Sequence, residues 1–282
     1  MRVREALAKV AGRLLEAGVA NGAQEARWLL EAVLGVGGGG LACRLGDEAP
    51  SAALSRLEEL TGRRARGEPL QYVLGTVEFH EIELEVGPGV LIPRPETEEL
   101  VEVALGLVEG VASPRVCDVC TGSGAIALAL AQAMPSACVW ATDVSEEALS
   151  WARRNAVRLG LSRVRLLLGD LFAPLGEEGG FDLVTANPPY VSPEEYAELE
   201  PVVRDHEPRL ALEASEGGLA LLLRVVLEAR ERLRPGGWLI TEMGDTQGDA
   251  LRRMLAEAGY TDVAVRRDLA GHERMALGRW RP

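Results

Sequence analysis

Apolar residues recur at helical spacing through the first third of the chain. Val3, Leu7, Val10, Leu14 and Leu15 fall on one face over residues 2–17, and Gly18 stands where that helix should stop. Residues 23–34 repeat the pattern with Ala26, Leu29, Leu30 and Val33. The run Gly37-Gly38-Gly39-Gly40 breaks it and reads as a loop, and Pro50 with Ser51 opens a further helix to about residue 64. A small helical bundle over residues 1–74 is predicted. Val77, Phe79, Ile82, Leu84 and Val86 then alternate with polar positions, which predicts a β-hairpin and a linker over residues 75–92. Pro95, followed by Glu96 and Glu98, marks the start of a helix over 95–109, because proline at the first helical position and acids in the first turn suit the unpaired N–H groups there.

From Arg115 the period switches between short apolar runs and amphipathic stretches. Strands are predicted at 116–119, 137–142, 164–168, 181–186, 238–242, 262–267 and 274–277. Helices are predicted at 125–133, 146–159, 219–233 and 249–258. Such alternation argues for a mostly parallel sheet with helices on both faces. The last two strands have almost nothing between them and should form an antiparallel hairpin at one edge. The expected fold over 93–282 is therefore Rossmann-like α/β.

Composition narrows the partners. The chain has 282 residues and a formal charge of −13. Ten basic residues meet nine acidic ones in 1–74, whereas 20 meet 34 in the remainder. A protein that bound nucleic acid through phosphate charge would show the opposite sign, so direct nucleic-acid binding is not expected. Arg63, Arg64 and Arg66 form one basic cluster, read as a solvated helix end. No run has the ~18 uncharged apolar residues of a membrane span, and the charged start is unlike a signal peptide. A cytoplasmic monomer is expected. The four cysteines imply no disulfide framework, and Cys117 with Cys120 reads as small apolar packing rather than a metal or redox pair. His80, His206 and His272 stand apart and are read as structural. No metal site is expected. The glycine run at 37–40 has no strand before it and no Gly-Lys-Ser/Thr after it, so it is not a phosphate loop.

The chemistry is carried by two segments. In the first, Asp118-Val119-Cys120-Thr121-Gly122-Ser123-Gly124-Ala125 joins the first parallel strand to its helix. Its glycines permit a tight turn and a ligand close to the backbone. Asp143 ends the next strand, where an acid accepts ribose hydroxyls. Asp170, Leu171 and Phe172 follow the third strand, where such folds meet an adenine ring. NAD competes as the ligand. However, the Asp118 carboxylate would repel a pyrophosphate while suiting a cationic amino-acid tail, and no dehydrogenase constellation follows. Adenine, ribose and an ammonium tail together describe S-adenosylmethionine.

The second segment is Asn187-Pro188-Pro189-Tyr190, after the apolar run 181–186. Both prolines lack N–H groups and have fixed φ, so their carbonyls project stiffly. Asn187 adds a side-chain acceptor, and Tyr190 adds a flat face. Two acceptors, the Asn187 oxygen and the Pro188 carbonyl, would hold the hydrogens of a conjugated nitrogen and stabilise the charge that develops on it. A primary amide or the exocyclic amine of a base fits equally at this point.

Beyond these residues, the chain resembles the HemK/PrmC family of methyltransferases over nearly its whole length. The resemblance is carried by Pro69-Leu70-Gln71-Tyr72-Val73-Leu74-Gly75, by Leu91-Ile92-Pro93-Arg94-Pro95-Glu96-Thr97-Glu98, and by Gly122-Ser123-Gly124-Ala125-Ile126-Ala127-Leu128. It continues through Asn187-Pro188-Pro189-Tyr190, Glu207-Pro208-Arg209-Leu210-Ala211-Leu212 and Gly217-Gly218-Leu219. It implies a class I S-adenosylmethionine-dependent methyltransferase with a seven-stranded sheet and a helical substrate-docking domain. The implied activity is methylation of the glutamine side-chain nitrogen in the Gly-Gly-Gln motif of peptide chain release factors, with S-adenosylhomocysteine as by-product. The Asn-Pro-Pro-Tyr motif is shared with adenine-N6 DNA and RNA methyltransferases, which are the alternative. Cofactor contacts are expected from Asp118, Cys120, Thr121, Gly122, Ser123, Gly124, Asp143, Asp170, Leu171, Phe172 and Asn187. The glutamine is expected on Asn187, Pro188, Pro189 and Tyr190, with Arg94 and Glu96 also binding substrate, and Asn187, Pro188 and Tyr190 carrying the chemistry. One departure is visible: Cys120 stands where the family usually has glycine.

Overall fold

The computed structural model describes residues 1–37, 39–214 and 218–282. Gly38 of the glycine run and Gly217 of the Gly217-Gly218-Leu219 stretch lie outside the described residues. The chain forms two compact units, one of residues 1–76 with 200–206 and one of 77–199 with 207–282.

The smaller unit contains α1 (Val3–Glu16), α2 (Gly22–Leu34), α3 (Gly40–Arg44), α4 (Ser51–Ala65) and α5 (Leu70–Leu74). Val3, Ala6, Val10 and Leu14 are the buried face of α1, at the three- and four-residue steps that keep side chains on one side of a helix. They join Leu29, Leu30, Leu41, Leu57 and Leu60 in one core. The predicted glycine loop is shorter than expected, since Gly40 already begins α3.

Two of the three clustered arginines are not solvated, whereas Arg66 is exposed at the end of α4. Arg64 makes a two-pronged bond to Glu25 of α2, at 2.5 and 3.1 Å. Arg63 bonds Glu68 and donates to the Tyr72 carbonyl at 3.0 Å. The partners lie as far as 39 residues away, which charge clustering in the sequence does not reveal.

The larger unit begins within β1 (Thr76–Phe79), at its second residue, and continues with β2 (Ile82–Glu85), then α6 (Pro95–Leu107), β3 (Arg115–Val119), α7 (Ala125–Ala133), β4 (Cys138–Asp143), α8 (Glu146–Arg158), β5 (Arg165–Leu168) and β6 (Phe181–Ala186). Three short helices follow: α9 (Pro193–Glu198), α10 (Pro201–Arg204), which belongs to the smaller unit, and α11 (Arg209–Leu212). The chain closes with α12 (Leu219–Arg232), β7 (Leu233–Glu242), α13 (Gly248–Glu257), β8 (Tyr260–Arg267) and β9 (Glu273–Trp280).

The seven-stranded sheet has the order β5-β4-β3-β6-β7-β9-β8. Pairing is parallel from β5 to β7 and antiparallel at β9 and β8. β6 is buried at every position, as a parallel strand covered on both faces must be. Val116 and Leu183 pack with α6 and α7 on one face, and Cys117 and Val184 with α12 and α13 on the other. The order reverses between β3 and β6, which places the carboxyl ends of those two strands beside a crevice.

The segment read as a linker is built into the larger unit. Asn155 of α8 is fully buried. It donates to the carbonyls of Glu85 and Ser123 at 3.1 and 3.0 Å and accepts from Glu85 N at 2.7 Å. One amide therefore ties the hairpin to the glycine loop. The histidines also have surroundings the sequence did not show. His80 Nε2 lies 2.6 Å from Glu102, and the His272 backbone donates to Asp268 at 2.9 Å.

Candidate active site

A cleft of about 1050 Å³, counted to its open mouth, lies over the carboxyl ends of β3, β4 and β6. Its floor is the turn after β3. Here the chain must reverse from strand into helix within a few residues. Cys120 has φ 58°, Gly122 φ 58° and Gly124 φ 84°. Glycine adopts this left-handed region freely, whereas an L side chain is strained by roughly 1–2 kcal/mol there. The cysteine thus occupies a backbone position that suits glycine, which accounts for glycine being usual there in the resembling family. Leu171, with φ 44°, is a second strained residue, and both it and Cys120 line the cleft. The two glycines differ in role. A Cβ on Gly122 would meet only Val90, at 4.0 Å, so its bare face leaves room in the cleft. A Cβ on Gly124 would stand 2.9 Å from Leu128, so that residue serves helix packing.

Asp143 sits on the cleft wall at the end of β4. Its Oδ2 accepts from Gly122 N at 2.8 Å and its Oδ1 from Ser145 N at 2.9 Å. Burial raises its pKa, while these backbone donors lower it. Each oxygen keeps a lone pair, the arrangement a vicinal diol requires. Asp170 lines the cleft and is paired with Arg224 at 2.9 Å.

Asp118 does not line the cleft. It is fully buried, and its two oxygens accept from Thr121 Oγ1 at 2.6 Å and Thr185 Oγ1 at 2.7 Å. Burial raises its pKa to about 7, against the pull of the two hydroxyls. Its place is beneath the glycine turn, pinning it to β6, rather than beside a cationic ligand. Phe172 is likewise buried behind Leu171 in the core.

The opposite wall carries Asn187 and Pro189. Tyr190 and Pro188 do not line the cleft, and Glu96 faces a separate recess with Glu98, Glu99 and Glu102. Arg94 does line it. The loop after β6 is clamped in place: Gln247 donates to the Tyr190 carbonyl at 3.1 Å. A Cβ on Gly218 would fall 2.1 Å from the same carbonyl, so only glycine lets this approach happen.

Thr97, which lines the cleft, and the buried Glu242 and Glu207 behind it carry site roles that the residue patterns did not assign. Asn187 Nδ2 donates to Thr97 Oγ1 at 3.4 Å. Thr97 donates onward to Glu242 Oε2 at 2.7 Å, and Tyr190 OH donates to Glu242 Oε1 at 3.0 Å. Burial raises the Glu242 pKa, countered by Thr97, Tyr190 and the nearby Arg274. Burial also raises the Tyr190 phenol, with the Glu242 charge adding to it. Glu207, with its side chain 1% exposed, accepts from Ile92 N at 3.0 Å and from Arg94 at 2.5 Å, and so fixes the 91–94 wall. A signal for Glu242 existed. It is an acid at the carboxyl end of a parallel strand, as Asp143 is, and that position faces the crevice in such folds. Glu207 stood only at the head of the Glu207-Pro208-Arg209 stretch of the resemblance, with no role attached.

The cleft thus offers the parts an S-adenosylmethionine site requires: a bare glycine turn, a carboxylate with free lone pairs, and an apolar patch at Leu171.

Residues 5–75 match the family model described as the PrmC N-terminal domain, and residues 116–205 match that of a methyltransferase domain. The chain is 41% identical to the release factor glutamine methyltransferase of Geobacter sulfurreducens, covering 98% of this chain and 96% of that protein. It is 45% identical to the protein of the same name from Bordetella pertussis, over 90% and 93%. Among solved structures, the T. thermophilus 16S rRNA N2 G1207 methyltransferase, in complex with AdoMet and guanosine, superposes with a TM-score of 0.55. It is 20% identical and covers 73% of this chain and 50% of its own, a likeness of fold. The chain belongs to the release factor glutamine methyltransferase family.

Proposed function

We propose that this chain transfers a methyl group to the side-chain amide nitrogen (N5) of the glutamine in the Gly-Gly-Gln motif of peptide chain release factors. The observation that carries this reading is family identity along essentially the whole chain, 41% over 277 residues. The cleft supports it. When bound, S-adenosylmethionine supplies an electrophilic methyl. Gly122, Asp143 and Leu171 hold the donor on one wall, and Asn187 stands on the other.

An amide nitrogen is a poor nucleophile because its lone pair is conjugated. The Asn187 oxygen accepts one of its hydrogens, turns the lone pair toward the methyl and offsets the developing positive charge; the Pro188 carbonyl, set back from the cleft lining, accepts the other once the acceptor is seated. Alignment of this kind supplies ~7–11 kcal/mol in favourable cases. The methylated nitrogen is acidic and sheds a proton without a strong base. Tyr190 does not line the cleft and acts from behind it, its hydroxyl anchored on Glu242. Arg94 is assigned to the incoming acceptor. Residues 1–74, which fold within the smaller unit, are assigned to docking the release factor.

The adenine-N6 alternative is not favoured. The relatives are named for glutamine, and residues 75–282 carry 20 basic against 34 acidic residues. None of the described helices is long and apolar enough to cross a membrane. A monomer acting in the cytoplasm, without contacts to nucleic acid, completes the proposal.

The test is incubation with labelled S-adenosylmethionine and a release factor carrying either Gly-Gly-Gln or Gly-Gly-Ala. Label on the first alone, located on the glutamine nitrogen by mass spectrometry, is the expected result. Equal labelling of both would sink the proposal.

A further inference from the structure

We propose that Thr97 and Glu242 are positioning residues that decide which end of the Asn187 side-chain amide faces the acceptor. The inference rests on the reading of the cleft given above. An asparagine amide is nearly symmetric in shape, yet its two ends are opposite in function. Oδ1 toward the acceptor accepts a hydrogen from the amide to be methylated. Nδ2 in its place would present a donor to a donor, and the nitrogen lone pair would have nothing to align it. Rotation of the side chain by half a turn therefore converts a competent site into an incompetent one.

The hydrogen-bond network removes this ambiguity. A threonine hydroxyl has one proton. Thr97 gives it to Glu242 Oε2, 2.7 Å away, at a carboxylate that is 2% exposed. What Thr97 then shows to Asn187 is a lone pair, and only Nδ2 satisfies it, across 3.4 Å. Oδ1 is left as the end that serves the cleft Asn187 lines. The other carboxylate oxygen accepts from Tyr190 OH at 3.0 Å. One acid thus sets the amide of Asn187 and the ring of Tyr190 together, although it belongs to β7, 52 residues beyond Tyr190. Outer partners of this sort orient the groups that touch the reactants.

Glu242→Gln keeps the shape but replaces one acceptor with a donor. Where that donor meets Thr97, the hydroxyl turns toward Asn187 and draws Oδ1 to itself. Where it meets Tyr190, the phenol loses its anchor. Either way kcat should fall on the order of 10–100-fold, while cofactor affinity stays within about twofold, since the change falls on the acceptor side alone. Thr97→Val removes the relay and should match it. Thr97→Ser restores the hydroxyl and should recover most of the turnover. The double variant should be no slower than the slower single one, because both break the same chain of bonds.

A loss in Glu242→Gln and Thr97→Val with recovery in Thr97→Ser bears the inference out. Wild-type turnover in either of the first two overturns it. A second readout needs no turnover: the nitrogen-15 NMR signal of the Asn187 side-chain NH2, assigned by its loss in Asn187→Ala. It should move in Thr97→Val and return in Thr97→Ser, and an unmoved signal overturns the inference. If wild-type enzyme leaves the release factor unlabelled, the proposed function fails, and the NMR result alone decides the inference.

Discussion

The two walls of the cleft are built on different plans. The donor wall is local. The glycine turn follows β3, Asp143 ends β4 and Leu171 comes shortly after β5, and the polar contacts of Asp143 are to backbone, at Gly122 N and Ser145 N. The acceptor wall is assembled at long range. Asn187 is set by Thr97, 90 residues earlier in the chain, and Thr97 by Glu242, 145 residues later. A backbone cradle binds whatever offers the right polar groups, and many methyltransferases need the same donor. The side-chain network can specify one acceptor, because its direction of donation is fixed by a buried acid.

Variants on the two walls should separate turnover from cofactor binding. Asn187→Ala deletes the group on which the acceptor wall converges. We expect kcat to fall about 10³-fold, with cofactor affinity unchanged by calorimetry. A parallel loss of affinity would mean that the walls are not independent.

Asp143→Ala should do the reverse. It removes two backbone bonds that hold the turn, together with the acceptor for the ribose. The cofactor dissociation constant should rise about 100-fold, or about 2.7 kcal/mol, and saturating cofactor should restore most of the turnover. An unrestored kcat would assign Asp143 to the chemical step.

Beneath the donor wall, Asp118 links stability to pH. Its folded pKa of about 7 lies above the ~3.9 of an unfolded aspartate. The folded state therefore holds the proton more tightly. The stability this gives is fully present below pH about 4 and is lost as pH rises through about 7. Between pH 5 and 8 the Tm of the wild type should fall by on the order of 5 °C more than that of Asp118→Asn. Parallel curves for the two proteins would refute the assignment.

The smallest effect is expected at Cys120. With φ 58°, Cys120→Gly should relieve strain and stabilise the protein by about 1 kcal/mol in denaturant melts. Destabilisation would show that the partly buried thiol contributes more by packing than its backbone costs.

The same contrast governs how much could be read from the sequence. Periodicity sufficed for the helical bundle, the alternating strands and helices, and the closing hairpin, because each reflects a local choice of buried face. The donor loop was legible for the same reason: a glycine turn after a strand and an acid ending the next strand are short-range patterns. The failures were of longer range. Asp118 looked like a ligand because its position in the turn is visible and the two threonines that consume its oxygens are not. Arg64 looked solvated for want of Glu25, and the tie between the hairpin and α8 was hidden for want of Asn155. Glu96 was grouped with Arg94, yet it sits one residue before the helical position that turns Thr97 inward, and it faces another recess.

The sequence by itself determined the class of fold, the donor turn and the Asn-Pro-Pro-Tyr loop, since these depend on neighbours within a few residues. Only the tertiary structure decided what orients Asn187. That decision rests on the direction of two hydrogen bonds between residues brought together by three separate elements. A proton committed at one end of such a chain fixes the other end, and no local pattern records it.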